Sequence, residues 1–174
     1  GATVNLANYS LKTASNGGAY SSTLALSNVN LVSGNTFVVS IGSDGLCTTP
    51  GGDGSLANQT GSISGGINFD VNGNDHIGLF KNGNSIDSFG VFGSNNWADG
   101  LGLGDRGATF RRKPTGTLPS SLFVVNDWNV VNWAGTGLAS CSTNDYSNIG
   151  LYSFTSTSLP PVIITQPTYT PTCK

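Results

Sequence analysis

The stretch Phe69–Phe92, FDVNGNDHIGLFKNGNSIDSFGVF, decides how the rest of the chain is read. Two runs of alternating apolar residues flank Asn82-Gly83. Asn-Gly is the strongest short signal for a two-residue turn, because both central positions take φ > 0 at little steric cost. Such a turn implies a register: Lys81 opposite Asn84, Phe80 opposite Ser85, Leu79 opposite Ile86, Gly78 opposite Asp87, Ile77 opposite Ser88 and His76 opposite Phe89. Alternation then predicts Ile77, Leu79 and Ile86 on a core face, with His76, Phe80, Asp87 and Phe89 on a mixed second face.

Composition extends the hairpin to the whole molecule. The 174 residues fit one domain with a real core, or one domain with a tail. Charged residues are only 9%, the nine acidic residues are all Asp, and Met is absent, so good helix formers are scarce while Gly, Ser, Thr and Asn dominate. The expectation is all-β structure with many turns. A hydrophobic content of 37% is too high for a disordered chain. The formal charge of −2 gives no general attraction to nucleic acid or anionic membrane. No run reaches the ~20 apolar residues of a membrane helix, and no signal peptide is read. The start at Gly1-Ala2-Thr3 reads as a processed or trimmed segment.

Three cysteines in so uncharged a chain, with sequons at Asn8 and Asn58, favour an extracellular or cell-surface setting. The preferred disulfide is Cys47–Cys141, which leaves Cys173 free or bonded to another chain; the other two pairings stay open.

Along the chain, Val4, Leu6, Tyr9 and Leu11 predict an opening strand with an irregularity at Ala7-Asn8. A turn at Ser15–Gly18, a strand at Thr23–Leu26 and a strongly β-prone run at Phe37–Ile41 follow. Residues 42–66 and 93–107 are Gly-rich loops, the first tethered by Cys47. Ala108–Lys113 is a basic strand stopped by Pro114, and Leu122–Val125, Trp128–Val131 and Ile149–Phe154 are further strands or extended segments. Residues 1–158 form the sandwich unit. Residues 159–174 form a Pro/Thr-rich tail whose run Val162-Ile163-Ile164-Thr165, bracketed by prolines, suits an edge strand.

The run Asn72–Gly83 with Ile86–Gly90 resembles the central hairpin of lamin-tail-type domains in secreted bacterial proteins. Val4–Leu11, Ala108–Lys113 and Asn126–Val131 resemble further segments of that family in the same order, so the likeness spans residues 3–135. It implies an immunoglobulin-like β-sandwich, usually non-catalytic, found beside nuclease or adhesive domains. Two departures stand out: the family's first strand lies upstream of where this chain begins, and the tail strand has no counterpart.

Several candidate sites follow from the residues. Asp70, Asn72, Asn74 and Asp75 alternate oxygen ligands around Gly73 in the manner of a calcium loop, but the twelfth position is Lys81, and a structural turn is the stronger reading. No other cofactor is expected. His76 is the sole histidine, which excludes a multi-histidine zinc site; packed beside phenylalanine and without a nucleophile motif, it predicts no catalytic role. Arg111, Arg112 and Lys113 form either a phosphate-facing patch or a charged edge, and nucleic acid is not the expected partner. Trp97, Trp128 and Trp133 are read as core rather than as a carbohydrate site. Pro161, Val162, Ile163, Ile164 and Thr165 are expected to fill a sheet edge of this domain or of a neighbouring copy, with Cys173 locking adjacent subunits. The expected function is a secreted structural or adhesive sandwich, a reading that extends to a self-associating fibre subunit binding other copies or a surface polymer. The rival is an accessory nucleic-acid- or carbohydrate-binding module of a secreted nuclease or hydrolase.

Overall fold

The computed structural model describes residues 1–41, 57–61, 75–101, 108–114, 119–132 and 150–151. Its strands are β1 (Val4–Asn5), β2 (Tyr9–Ala14), β3 (Ser22–Ala25), β4 (Asn30–Leu31), β5 (Val39–Ile41), β6 (Gln59–Gly61), β7 (His76–Lys81), β8 (Asn84–Phe89), β9 (Ala108–Arg112) and β10 (Trp128–Asn132). Among the described residues the only helical pieces are three-residue 3₁₀ turns, at Leu6–Asn8, Ser15–Gly17, Asp99–Leu101 and Val125–Asp127. None of them is long and apolar enough to cross a membrane. The protein is all-β, as its shortage of helix formers implies.

The largest sheet has the order β3-β2-β7-β8 and is antiparallel throughout. Around it lie the antiparallel pairs β1–β4 and β9–β10 and the parallel pair β5–β6. The irregularity expected at Ala7-Asn8 is the first 3₁₀ turn, which separates β1 from β2; Asn5 caps it by accepting from the Ala7 N–H at 2.9 Å. Residues 122–124 stay outside any strand and lead into the turn at Val125–Asp127.

The central hairpin keeps its predicted turn and changes its register. Asn82 and Gly83 have φ of 49° and 81°, as the turn requires. Lys81 pairs with Asn84 and Phe80 with Ser85, but the next pairs are Leu79–Asp87, Gly78–Ser88 and Ile77–Phe89. Ile86 is therefore the extra residue of a β-bulge. A one-residue slip moves every later side chain to the opposite face. Asp87 and Phe89 consequently stand with Ile77 and Leu79, not with His76 and Phe80. The predicted register beyond Ser85 is corrected on this point.

The switch places the core. Phe89 sits edge-on to Trp97, Phe110, Phe123 and Trp128, with ring centroids 4.9–5.6 Å apart. Trp97 and Ala98 are buried at the centre of this cluster, and Val130 packs against them. Phe110 and Arg112 alternate onto one face of β9, opposite Val130 and Trp128 of β10, so the β9–β10 pair lays an aromatic face across the large sheet. Two packed layers with aromatic side chains between them make a β-sandwich.

One ion pair crosses the same interface. Asp87 Oδ1 accepts from Arg112 Nη2 at 2.8 Å, from the Ser88 N–H at 3.0 Å and from the Ser120 N–H at 3.2 Å. The Arg112 guanidinium lies 4.6 Å from the Trp128 ring centroid. Without the bulge, Asp87 would face away from Arg112.

Candidate functional site

The other face of the large sheet carries His76, Gly78 and Phe80 from β7, Lys12 and Ala14 from β2, and Ser88 from β8, as the register dictates. The deeper burial along β7 falls on this face, not on the Ile77–Leu79 face that packs toward the core. His76, Gly78 and Phe80 are buried, whereas Ile77 and Leu79 are half-buried. Gly78 explains part of this: a Cβ there would stand 2.7 Å from Phe80 Cε2 and 3.0 Å from the Tyr20 hydroxyl. The absent side chain lets the Phe80 ring lie down across its own strand, a known use of strand glycine.

His76 is 3% exposed and fully engaged. Its Nδ1 lies 2.8 Å from the Gly90 carbonyl oxygen, which can only accept, so Nδ1 carries the proton. The neutral ring then accepts at Nε2, where the Tyr20 hydroxyl lies 3.0 Å away as donor and Ser88 Oγ stands at 3.4 Å. Ser88 is 5% exposed. The Ser–His proximity is real, yet both groups are beneath the surface and the imidazole's second nitrogen is held by a carbonyl instead of a carboxylate. Gly90 makes this possible. Its φ is +82°, and a Cβ there would meet the Asp75 carbonyl oxygen at 2.7 Å and the Trp97 ring at 3.1 Å.

Tyr20 and Phe92 pack against the imidazole, and Phe80 joins the cluster through Tyr20. Tyr20 contacts His76, Phe80 and Phe92 at centroid distances of 5.6, 5.2 and 5.0 Å, and Phe92 meets His76 edge-on at 5.3 Å. Lys12 Nζ sits 4.5 Å from the Phe80 ring centroid. Desolvation pushes the Tyr20 phenol above its ordinary value of 10.0. The outer surface of the cluster is nevertheless open: Tyr20 is 36% exposed and Phe92 53%.

Asp75, the one described member of the predicted calcium loop, is buried. Its Oδ1 accepts from the Asn16 N–H at 2.9 Å and so clamps the Ser15–Gly17 turn to the hairpin base. Asp70, Asn72 and Asn74 lie outside the described residues. Among those described, no group of three or more His, Cys, Asp or Glu is placed to hold a metal. Cys47, Cys141, Cys173, Trp133 and the segment 161–165 also lie outside them. Asn8 and Asn58 are both exposed; the Asn58 side-chain oxygen accepts from the Val38 N–H at 2.8 Å.

The basic strand is built into the fold. Arg112 is held by Asp87, Lys113 Nζ donates to the Asn126 carbonyl at 2.8 Å, and Arg111 is also engaged. Trp97 and Trp128 line the core cluster, as expected. The ring cap at Tyr20 and Phe92 is the feature that sequence reasoning missed. Both residues sit in loops outside any alternating pattern, and only the Gly-Gly and Gly-Ser turns beside them hinted that the chain folds back there.

No family model, curated protein or solved structure matches the chain. The reading of function therefore stands on the residues themselves.

Proposed function

We propose that this protein is a secreted, non-catalytic β-sandwich with a structural or adhesive role, of the immunoglobulin-like, lamin-tail type that its motifs resemble. The observation that carries the reading is the division of labour on the His76 face. His76 and Ser88 are buried and the imidazole is held by the Tyr20 hydroxyl and the Gly90 carbonyl, while the Tyr20 and Phe92 rings are partly open to solvent. A general base must reach the proton it removes. His76 has its acceptor nitrogen occupied by a phenol and its donor nitrogen by a main-chain carbonyl. An exposed aromatic pair on a rigid sheet is the kind of feature that serves recognition.

Turnover assays test this reading. Ester, glycoside and phosphodiester substrates, with and without Ca²⁺, should give no rate above a heat-inactivated control. A rate that is abolished in a folded His76→Gln variant would overturn it. Within the same reading, Pro161–Thr165 is proposed to act as an edge-filling strand and Cys173 as an intersubunit link, supported by the β-branched run between prolines. The native mass with and without reductant tests this part; a monomer under both conditions counts against it.

A further inference from the structure

The large sheet has two outer strands, β3 and β8, and an outer strand is a template to which another chain can add. We infer that the side chain of Gln59 is an edge stop. Its amide occupies the main-chain groups of Ala25 and Ser27 through which β3 would otherwise take on a strand from a second copy of this chain.

The ladder fixes which groups are at stake. The Leu26 N–H donates to the Tyr9 carbonyl of β2 at 3.0 Å. Main-chain groups alternate between the two sides of an extended strand, so those of Ala25 and Ser27 point away from β2. Thr23, two residues earlier, faces the same way. One side chain meets the groups of both Ala25 and Ser27. Gln59 Nε2 donates to the Ala25 carbonyl at 2.8 Å, and Oε1 accepts from the Ser27 N–H at 2.8 Å and from Ser27 Oγ at 3.0 Å. A carbonyl at one end and an N–H at the other leave the amide a single orientation. It supplies the donor and the acceptor that an added strand would bring. The amide is also held from behind. Gln59 is half-buried at the start of β6, pairs with Val39, and donates its main-chain N–H to the Val38 carbonyl at 3.2 Å.

The sequence shows why β3 needs such a device. Natural edges are guarded by charged side chains, proline or a bulge. Residues 13–43 contain no charged residue and no proline. Thr23 and Ala25 are exposed on β3, and a short, uncharged, β-prone strand of this kind pairs readily with its own copies. At the other outer strand, β8 carries the bulge at Ile86 and the charged Asp87, which are guards of the usual sort.

The test compares the full chain with its variants in reductant, by sedimentation over a range of concentrations, and locates any new contact by amide hydrogen exchange. Gln59→Ala is expected to add a species of about twice the parent's mass, in which the Thr23 and Ala25 amide hydrogens exchange more slowly. Gln59→Met keeps the length of the side chain without its polar atoms and should associate in the same way, so the test survives an alanine variant that does not fold. Gln59→Glu loses the donor to Ala25 but places a charge at the edge, and it should keep the parent's mass. Adding Thr23→Lys to Gln59→Met should restore that mass.

A folded Gln59→Met protein with the parent's mass at every concentration overturns the inference. So does association of Gln59→Glu to the same extent, which assigns the effect to lost stability. New association whose protected amides lie outside β3 overturns it as well. None of these outcomes touches the non-catalytic reading.

Discussion

At the level of single residues, glycines and one carboxylate decide the outcome more than the large apolar side chains do. Gly90 holds the left-handed φ that lets its carbonyl reach His76 Nδ1. In Gly90→Ala, backbone strain adds to a clash with a main-chain oxygen that cannot move aside. The variant is expected to lose about 2–4 kcal/mol in urea unfolding. Asp87→Ala removes the acceptor of three hydrogen bonds and leaves Arg112 half-buried without its partner. A loss of roughly 2–4 kcal/mol is expected by the same measurement, with Asp87→Asn intermediate. Tyr20 sets a pH response. Its pKa is raised in the folded state by desolvation, so the folded protein holds this proton more tightly than the unfolded chain. Stability is therefore full below the ordinary phenol value and declines as pH rises from there through the folded value. A phenolate titration followed by absorbance should show one of the five tyrosines ionising late, and Tyr20→Phe should remove that step.

The element that organises the molecule is the β7–β8 hairpin, and its reading from sequence succeeded up to the first two rungs. The Asn82-Gly83 turn is legible because it needs positive φ twice and names the residues that supply it. The bulge at Ile86 is not legible by the same logic. A turn fixes only the pairs beside it, and nothing in the local pattern says where a ladder slips. The reason lies across the interface: Phe89 is needed among Trp97, Phe110, Phe123 and Trp128, and Asp87 is needed against Arg112. Tertiary packing overrides the simplest register. The β2 irregularity and the basic strand β9 were legible, since a polar break and a proline stop mark them. Deleting Ile86 removes the extra residue and leaves Leu79 opposite Asp87 and Ile77 opposite Phe89 in a regular ladder, so both side chains keep the face they need. The expected result is that near-UV circular dichroism and cooperative unfolding are retained. Loss of both would show that the bulge does more than set this register.

Across the whole molecule, the large sheet carries two unlike aromatic faces. The Phe89 face is closed by the β9–β10 pair and forms the core. The His76 face is capped by Tyr20 and Phe92, which remain partly open to solvent. The two sides of the sheet thus differ in how far they are closed, and substitutions should show the difference. Phe89→Ala should cost about 3–5 kcal/mol of unfolding free energy. Phe92→Ala, at a ring that packs against Tyr20 and His76 but is 53% exposed, should cost clearly less by the same measurement. Composition already announced an all-β protein with little charge, but which face would be open depended on two loop residues with no periodic signature. The non-catalytic proposal makes His76 an internal brace and not a reactive group. Because this is the sole histidine, its reaction with diethyl pyrocarbonate is read without ambiguity from the absorbance of the modified imidazole. The prediction is that His76 stays unmodified in the native protein and reacts promptly once the chain is unfolded. Modification of the native protein at the rate of a free imidazole would show His76 to be open and reactive instead.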